Sequence, residues 1–204
     1  GFESINSTYQ LIKALFRTTP DLDISAGKLM VVSPDEGAIS RAMYMASMLG
    51  APLGVFYKRR DYTSVVNGRN PILCHEFLGD NVEGQDIIIV DDMISSGESI
   101  LDIARELKNR KAKNVYCAVT YSLFTNGVNE FQKAYEEGLI SKVLSTNLIY
   151  RTPELLASEW FVDVDMSKFV ALIIDAINHD ASLSRLMDPT AKIRALIERK
   201  TVIV

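Results

Sequence analysis

Residues 87–100 read I-I-I-V-D-D-M-I-S-S-G-E-S-I. Three isoleucines and a valine in a row fit a strand buried on both faces, and such strands belong to parallel sheets covered by helices. Two adjacent carboxylates, Asp91 and Asp92, stand at the carboxyl end of that run. A loop of small residues, Ser95-Ser96-Gly97-Glu98-Ser99, then opens into a helical pattern over 99–110, with Ile100, Ile103, Ala104 and Leu107 spaced for one buried face. This strand–loop–helix unit commits the surrounding chain to further crossovers of the same kind.

The remainder agrees. Residues 29–32 read as a buried strand, and 37–49 as a helix with Ile39, Ala42, Met43, Ala46 and Leu49 on one face. Gly50 stands where a helix-ending glycine belongs. Short strands are expected at 54–56, 115–119, 143–146 and 161–164, and helices at 129–137, 168–177, around Leu183 and at 190–199. Residues 57–70 are polar and basic and read as irregular. The alternation predicts an α/β fold, a mostly parallel sheet flanked by helices on both faces, with ligands bound at the carboxyl ends of the strands. No repeat or linker divides the chain. One domain is expected over 1–204, with a helical lead-in over 1–26, an α/β core over 27–165 and C-terminal helices over 166–204.

Composition removes several function classes. The 204 residues are 48% hydrophobic and 24% charged, with a formal net charge of -4, which fits a folded domain and not a disordered chain. A sequence pI near 5.3 and the lack of a long Lys/Arg run argue against a nucleic-acid binder. No apolar window approaches the length of a membrane span, and the first residues do not resemble a signal peptide. Cys74 and Cys117 share no metal-like spacing and are read as reduced thiols of a cytoplasmic protein. Two histidines, His75 and His179, form no constellation, and no P-loop is present.

The chemistry of the central unit suits a sugar phosphate. Backbone N–H groups at a helix N-terminus attract a phosphate dianion, and small residues let it approach. Ser95, Ser96 and Ser99 add hydroxyl donors, while Asp91 and Asp92 can accept hydrogen bonds from vicinal sugar hydroxyls or hold Mg²⁺. A purely structural reading also exists: Ser95 with Glu98, and Ser99 with Asp102, each have the spacing of a capping box. The two readings are compatible, but capping alone does not call for two acids at the end of a buried strand. Asp35 follows the first strand and suits either a bound metal or a helix cap equally well.

The residues V-D-D-M at 90–93 and the loop behind them resemble the phosphoribosyl-pyrophosphate motif of type I phosphoribosyltransferases. Other segments resemble the ribose-phosphate pyrophosphokinase family more closely: Ser33-Pro34-Asp35, the basic Tyr57-Lys58-Arg59-Arg60, the passage from Gly79-Asp80 to Asp92, and Ser145-Thr146-Asn147. The resemblance runs from about Phe2 to Asn178 and covers the carboxyl-terminal half of such an enzyme. There are departures. Glu98 occupies a position that is glycine in the family, Ser95 stands for an aspartate, Tyr121-Ser122 replaces His-Gly, and Ala38 replaces a glycine. A glutamate there repels a bound phosphate unless it turns away.

The resemblance implies a Mg²⁺-dependent diphosphoryl transfer from ATP to ribose 5-phosphate, giving phosphoribosyl pyrophosphate. It assigns the ribose hydroxyls to Asp91 and Asp92, and the 5-phosphate to Ser95, Ser96, Gly97 and Ser99. It makes Lys58 and Arg60 the cations that stabilise the transferring group, beside a loop with an Asn67-Gly68 turn signal and Arg69. Read from the residues alone, that basic stretch is a solvated loop. A homo-oligomer is expected, and so is little or no turnover by this chain by itself, because the family takes much of its ATP site from the other half. Two further classes remain open: a stand-alone nucleobase phosphoribosyltransferase, and a non-catalytic module that binds a sugar phosphate or nucleotide.

Overall fold

A computed structural model describes residues 5–60 and 72–203. Seven strands form one sheet: β1 (Leu29–Ser33), β2 (Leu53–Arg60), β3 (Ile72–Leu78), β4 (Asp86–Ile94), β5 (Asn114–Ser122), β6 (Lys142–Thr146) and β7 (Phe161–Val164). Their order is β3-β2-β1-β4-β5-β6-β7, and every pair is parallel except β2 with β3. The helices are α1 (Thr8–Thr18), α2 (Ile39–Leu49), α3 (Glu98–Asn109), α4 (Asn129–Glu136), α5 (Pro153–Ala157), α6 (Ser167–Asn178), α7 (Ser184–Met187) and α8 (Thr190–Ile203).

Side chains alternate across a strand, so an all-apolar strand must meet apolar matter on both sides. Ile87 and Ile89 face a core built with α3 and α4, through Ile100, Ile103, Leu107, Phe131 and Ala134. Ile88 and Val90 face a second core built with α1, α2 and α8, through Leu11, Leu15, Ala42, Met45 and Ile193. The expected mostly parallel sheet with helices on both faces is what the chain forms.

Three local readings need correction. The buried stripe of α2 is Ala42, Met45, Ala46 and Leu49, whereas Met43 is 54% exposed. The stripe keeps the i, i+3, i+4, i+7 spacing but is rotated one step, because α2 follows a short 3-10 turn, Glu36–Ala38, and packs across β1 and β4. Residues 57–60 are not irregular: β2 runs through Arg60 and pairs antiparallel with β3. Backbone pairing holds that extension, so its polar sequence gave no burial signal. The helix α5, started by Thr152 accepting from the N–H of Leu155 at 3.2 Å and by Pro153, carries too few apolar residues for its periodicity to show. The segment 61–71, with Asn67, Gly68 and Arg69, lies outside the described residues.

The first and last helices run side by side in the same direction. Lys192, early in α8, lies over the Tyr9 ring, and Lys200, near its end, lies over the Phe16 ring. Lys200 is 7% exposed, and its ammonium donates to the carbonyls of Thr19 and Pro20, just past the end of α1. No described helix is long and apolar enough to cross a membrane.

Candidate functional site

The chain leaves β1 toward β2 on one side and returns through β4 to β5 on the other. The crossover α2 packs on one face of the sheet and α3 on the other. Between β1 and β4 the two loops therefore diverge and leave a crevice at the carboxyl ends of the strands, where α/β sheets place their ligands.

Two sequence-predicted sites meet there. Asp35 stands two residues beyond the end of β1, and Asp91 and Asp92 lie near the end of β4. Asp35 does act as a cap: its Oδ1 accepts from the N–H groups of Gly37 at 3.0 Å and Ala38 at 3.2 Å. Asp91 accepts from the backbone N–H of Asp92 at 2.8 Å. Burial pushes the Asp91 carboxyl up to about 6, and the neighbouring charges of Asp92 and Asp35 push in the same direction. The three acids thus share one electrostatic neighbourhood.

Sequence reasoning missed the group that bridges them. Arg41, in the first turn of α2, places Nη1 3.6 Å from Asp91 and Nη2 3.4 Å from Asp92. Its signal was a lone basic residue in an otherwise uncharged helix, one turn beyond Gly37, and nothing in the local pattern tied it to residues fifty positions later. The Arg41 side chain is 38% exposed, so the pair is open to solvent and exchangeable.

The loop after β4 is fixed from outside. The carbonyl of Ile94 accepts from Leu123 N at 2.8 Å, and that of Ser95 from Thr125 N at 3.0 Å. Gly97 adopts φ +90, and a Cβ at this position would collide with the Phe131 ring. Left-handed backbone and lack of space both demand glycine. Neither capping box forms: α3 starts at Glu98 with Gly97 as its N-cap and no side-chain cap, and Asp102 pairs instead with Arg105 at 2.8 Å. The amino end of α3 thus presents first-turn N–H groups beside Ser95, Ser96 and Ser99 without a competing side-chain oxygen from its N-cap. Glu98 is exposed and its Oε1 accepts from Asn126 Nδ2 at 3.4 Å, which turns its charge toward the β5–α4 loop.

The site's other parts separate. Lys58 and Arg60 lie on β2, next to β1, but their side chains lie outside the described residues, as do those of Cys74 and His75. His179 is exposed and stands 3.3 Å from Asp175. Cys117 is buried in the middle of β5. Trp160 is fully buried among Phe124, Phe131 and Phe161, and its Nε1 donates to Gln132 at 2.9 Å.

Comparison with known proteins agrees with this geometry. Residues 3–144 match the model of the phosphoribosyl transferase domain. Among curated proteins, the chain is 32% identical over 153 residues to ribose-phosphate pyrophosphokinase of Ureaplasma parvum, covering 74% of this chain and 43% of that protein. It is 31% identical over 160 residues to the protein of the same name from Vibrio cholerae, covering 78% and 48%. The chain thus spans about half the length, or less, of the curated relatives it matches. The fold superposes on phosphoribosylpyrophosphate synthetase from Mycobacterium smegmatis with a TM-score of 0.67 at 24% identity, covering 86% of this chain and 51% of that one.

Proposed function

This chain belongs to the phosphoribosyl transferase domain family, and from that premise we propose that it is the carboxyl-terminal, ribose 5-phosphate-binding domain of a ribose-phosphate pyrophosphokinase. The observation that carries the reading is the placement of Asp91 and Asp92 at the β1–β4 crevice, with the uncapped start of α3 directly behind them. The names of the relatives supply the reaction.

In this reading Asp91 and Asp92 accept hydrogen bonds from the two vicinal ribose hydroxyls, and Arg41 yields to them. The first-turn N–H groups of α3, with the hydroxyls of Ser95, Ser96 and Ser99, hold the 5-phosphate at the helix N-terminus. Fixing the sugar at both ends aims its 1-hydroxyl, and most of the rate gain comes from this positioning. That oxygen attacks the β-phosphorus of ATP, the bond to the α-phosphate oxygen breaks, and AMP leaves with the electron pair while the hydroxyl proton is released. Lys58 and Arg60 stabilise charge on the transferring diphosphoryl oxygens.

The described residues gather no three acids or histidines into a metal site by themselves; Asp91 and Asp92 are hard oxygen donors that would hold Mg²⁺ together with the substrate phosphates, with Asp35, beyond β1, as the further candidate. When bound beside substrate phosphates, the ion would neutralise their charge. ATP and phosphoribosyl pyrophosphate are the further ligands, the cytoplasm is the compartment, and a homo-oligomer is the assembly. The chain alone binds ribose 5-phosphate and turns over little. A non-catalytic module that binds a nucleotide or sugar phosphate is the second reading, favoured by the departures from the family's pattern at Glu98 and at Tyr121-Ser122.

Calorimetric titration of ribose 5-phosphate with Mg²⁺ tests the site, with an Asp91→Asn/Asp92→Asn variant alongside. Saturable binding that the variant loses is expected. Absence of binding, or equal binding by both chains, overturns the assignment. If binding holds, turnover on adding the complementary half separates the enzyme from the non-catalytic module.

A further inference from the structure

A groove of about 430 Å³ opens between α1, α6, α7 and α8, away from the β1–β4 crevice. We propose that it is a second binding site, for a small phosphorylated molecule with an aromatic or apolar body. Four cations line it: Lys13 and Arg17 from α1, Lys168 from α6 and Lys192 from α8. Lys13 and Arg17 are four residues apart and so share one face of α1.

None of these four makes an ion pair among the described residues, although the chain as a whole carries four more acids than bases. Cations brought together without counter-charges repel one another, and an anion relieves that repulsion. Asp165, the one acid among the groove's described lining residues, does not supply it. Asp165 Oδ1 already accepts from Ser167 N at 2.9 Å and Asn147 Nδ2 at 3.0 Å, in the turn that leads into α6.

The rest of the lining describes the body of the ligand. The Tyr9 ring lies under Lys192, 5.9 Å from its ammonium. Phe169 and Leu172 add apolar wall. Gln10 Oε1, in the same wall, is buried with no hydrogen-bond partner among the described residues, an acceptor waiting for a donor. Charged rim, flat apolar wall and one directional polar group together match the usual make-up of a small-molecule site, and the volume falls in the usual range. The proposal does not depend on the crevice reading, since it shares no residue with it.

The test is a titration of phenyl phosphate into the ¹⁵N-labelled chain at fixed ionic strength, followed by amide shifts, with phenol as the uncharged control. Amides of Tyr9, Lys13, Arg17 and Lys192 should shift saturably, at least about tenfold more tightly for phenyl phosphate than for phenol. In an Arg17→Gln/Lys192→Gln variant that affinity should fall by about tenfold or more, because charge-assisted contacts are removed. Amides of 95–99 report the crevice separately, so either site can fail alone. Groove amides that do not saturate, equal affinity for phenol, or unchanged affinity in the variant each overturn the proposal. Should that variant misfold, the single substitutions Arg17→Gln and Lys192→Gln are read by the same criteria.

Discussion

Replacing Asp91 with asparagine should stabilise the folded chain at neutral pH while removing a proposed ribose contact. The folded carboxyl keeps its proton up to about pH 6, against an ordinary value of 3.8. Between those values the folded state binds more protons than the unfolded one. Stability contributed by this group therefore falls as pH rises through the window, stays low above it, and is fully recovered below the ordinary value. Taken at face value the difference is about 3 kcal/mol. The side chain is only partly shielded and Arg41 is near, so solvent and counter-charge reduce this to about 1–2 kcal/mol. Asparagine keeps an Oδ1 to accept from Asp92 N and loses the buried charge together with its exposed 3.6 Å pair with Arg41. The variant's Tm should exceed the parent's by roughly 2–8 °C at pH 8, for a chain of this size. At pH 3.5 the two should coincide. Thermal melts by circular dichroism across that range measure it. A difference that is flat with pH, or that favours the parent at pH 8, refutes the claim that Asp91 is ionised there at a cost.

Gly97→Ala should lose about 2–4 kcal/mol in urea unfolding, combining left-handed strain with the collision against Phe131. Loss below about 0.5 kcal/mol would show that the loop relaxes freely. Trp160→Ala should cost about 3–5 kcal/mol, because it empties the ring cluster and strands the Gln132 acceptor. In a Cys74→Ser background, the remaining Cys117 should resist aromatic disulfide reagents until the protein unfolds. Its thiol is fully buried and burial alone pushes it up to about 12. Prompt labelling under native conditions would contradict that burial.

Elements buried on both faces were legible before any coordinates. β4, β1 and β5 announce themselves by apolar runs, and α3 by its stripe, because burial is the same force that writes the pattern. Asp91, Asp92 and the small-residue loop were legible because chemistry and strand end coincide. What was not legible rests on pairing and on distance. The far half of β2 is held by backbone pairing with β3, which its polar sequence does not advertise. Arg41 meets Asp91 and Asp92 only because β1 and β4 are neighbours, a fact of topology. The capping boxes show the opposite error. Two valid local patterns gave way because Phe131, from α4, requires glycine and a left-handed turn one residue before the helix.

The clasp of α8 along α1 has a kinetic meaning. The Lys200 contacts with Thr19 and Pro20 join residues 181 and 180 positions apart. Closing so long a loop costs little more than closing a moderate one, since the entropy grows only with the logarithm of length. Its timing is another matter. Until residues 190–200 emerge from the ribosome, the face of α1 that carries Tyr9 and Phe16 lacks its outer cover, so the sheet can assemble first and the groove between the helices comes last. A chain cut before α8 should fold around its central strands, expose that face, and aggregate through it.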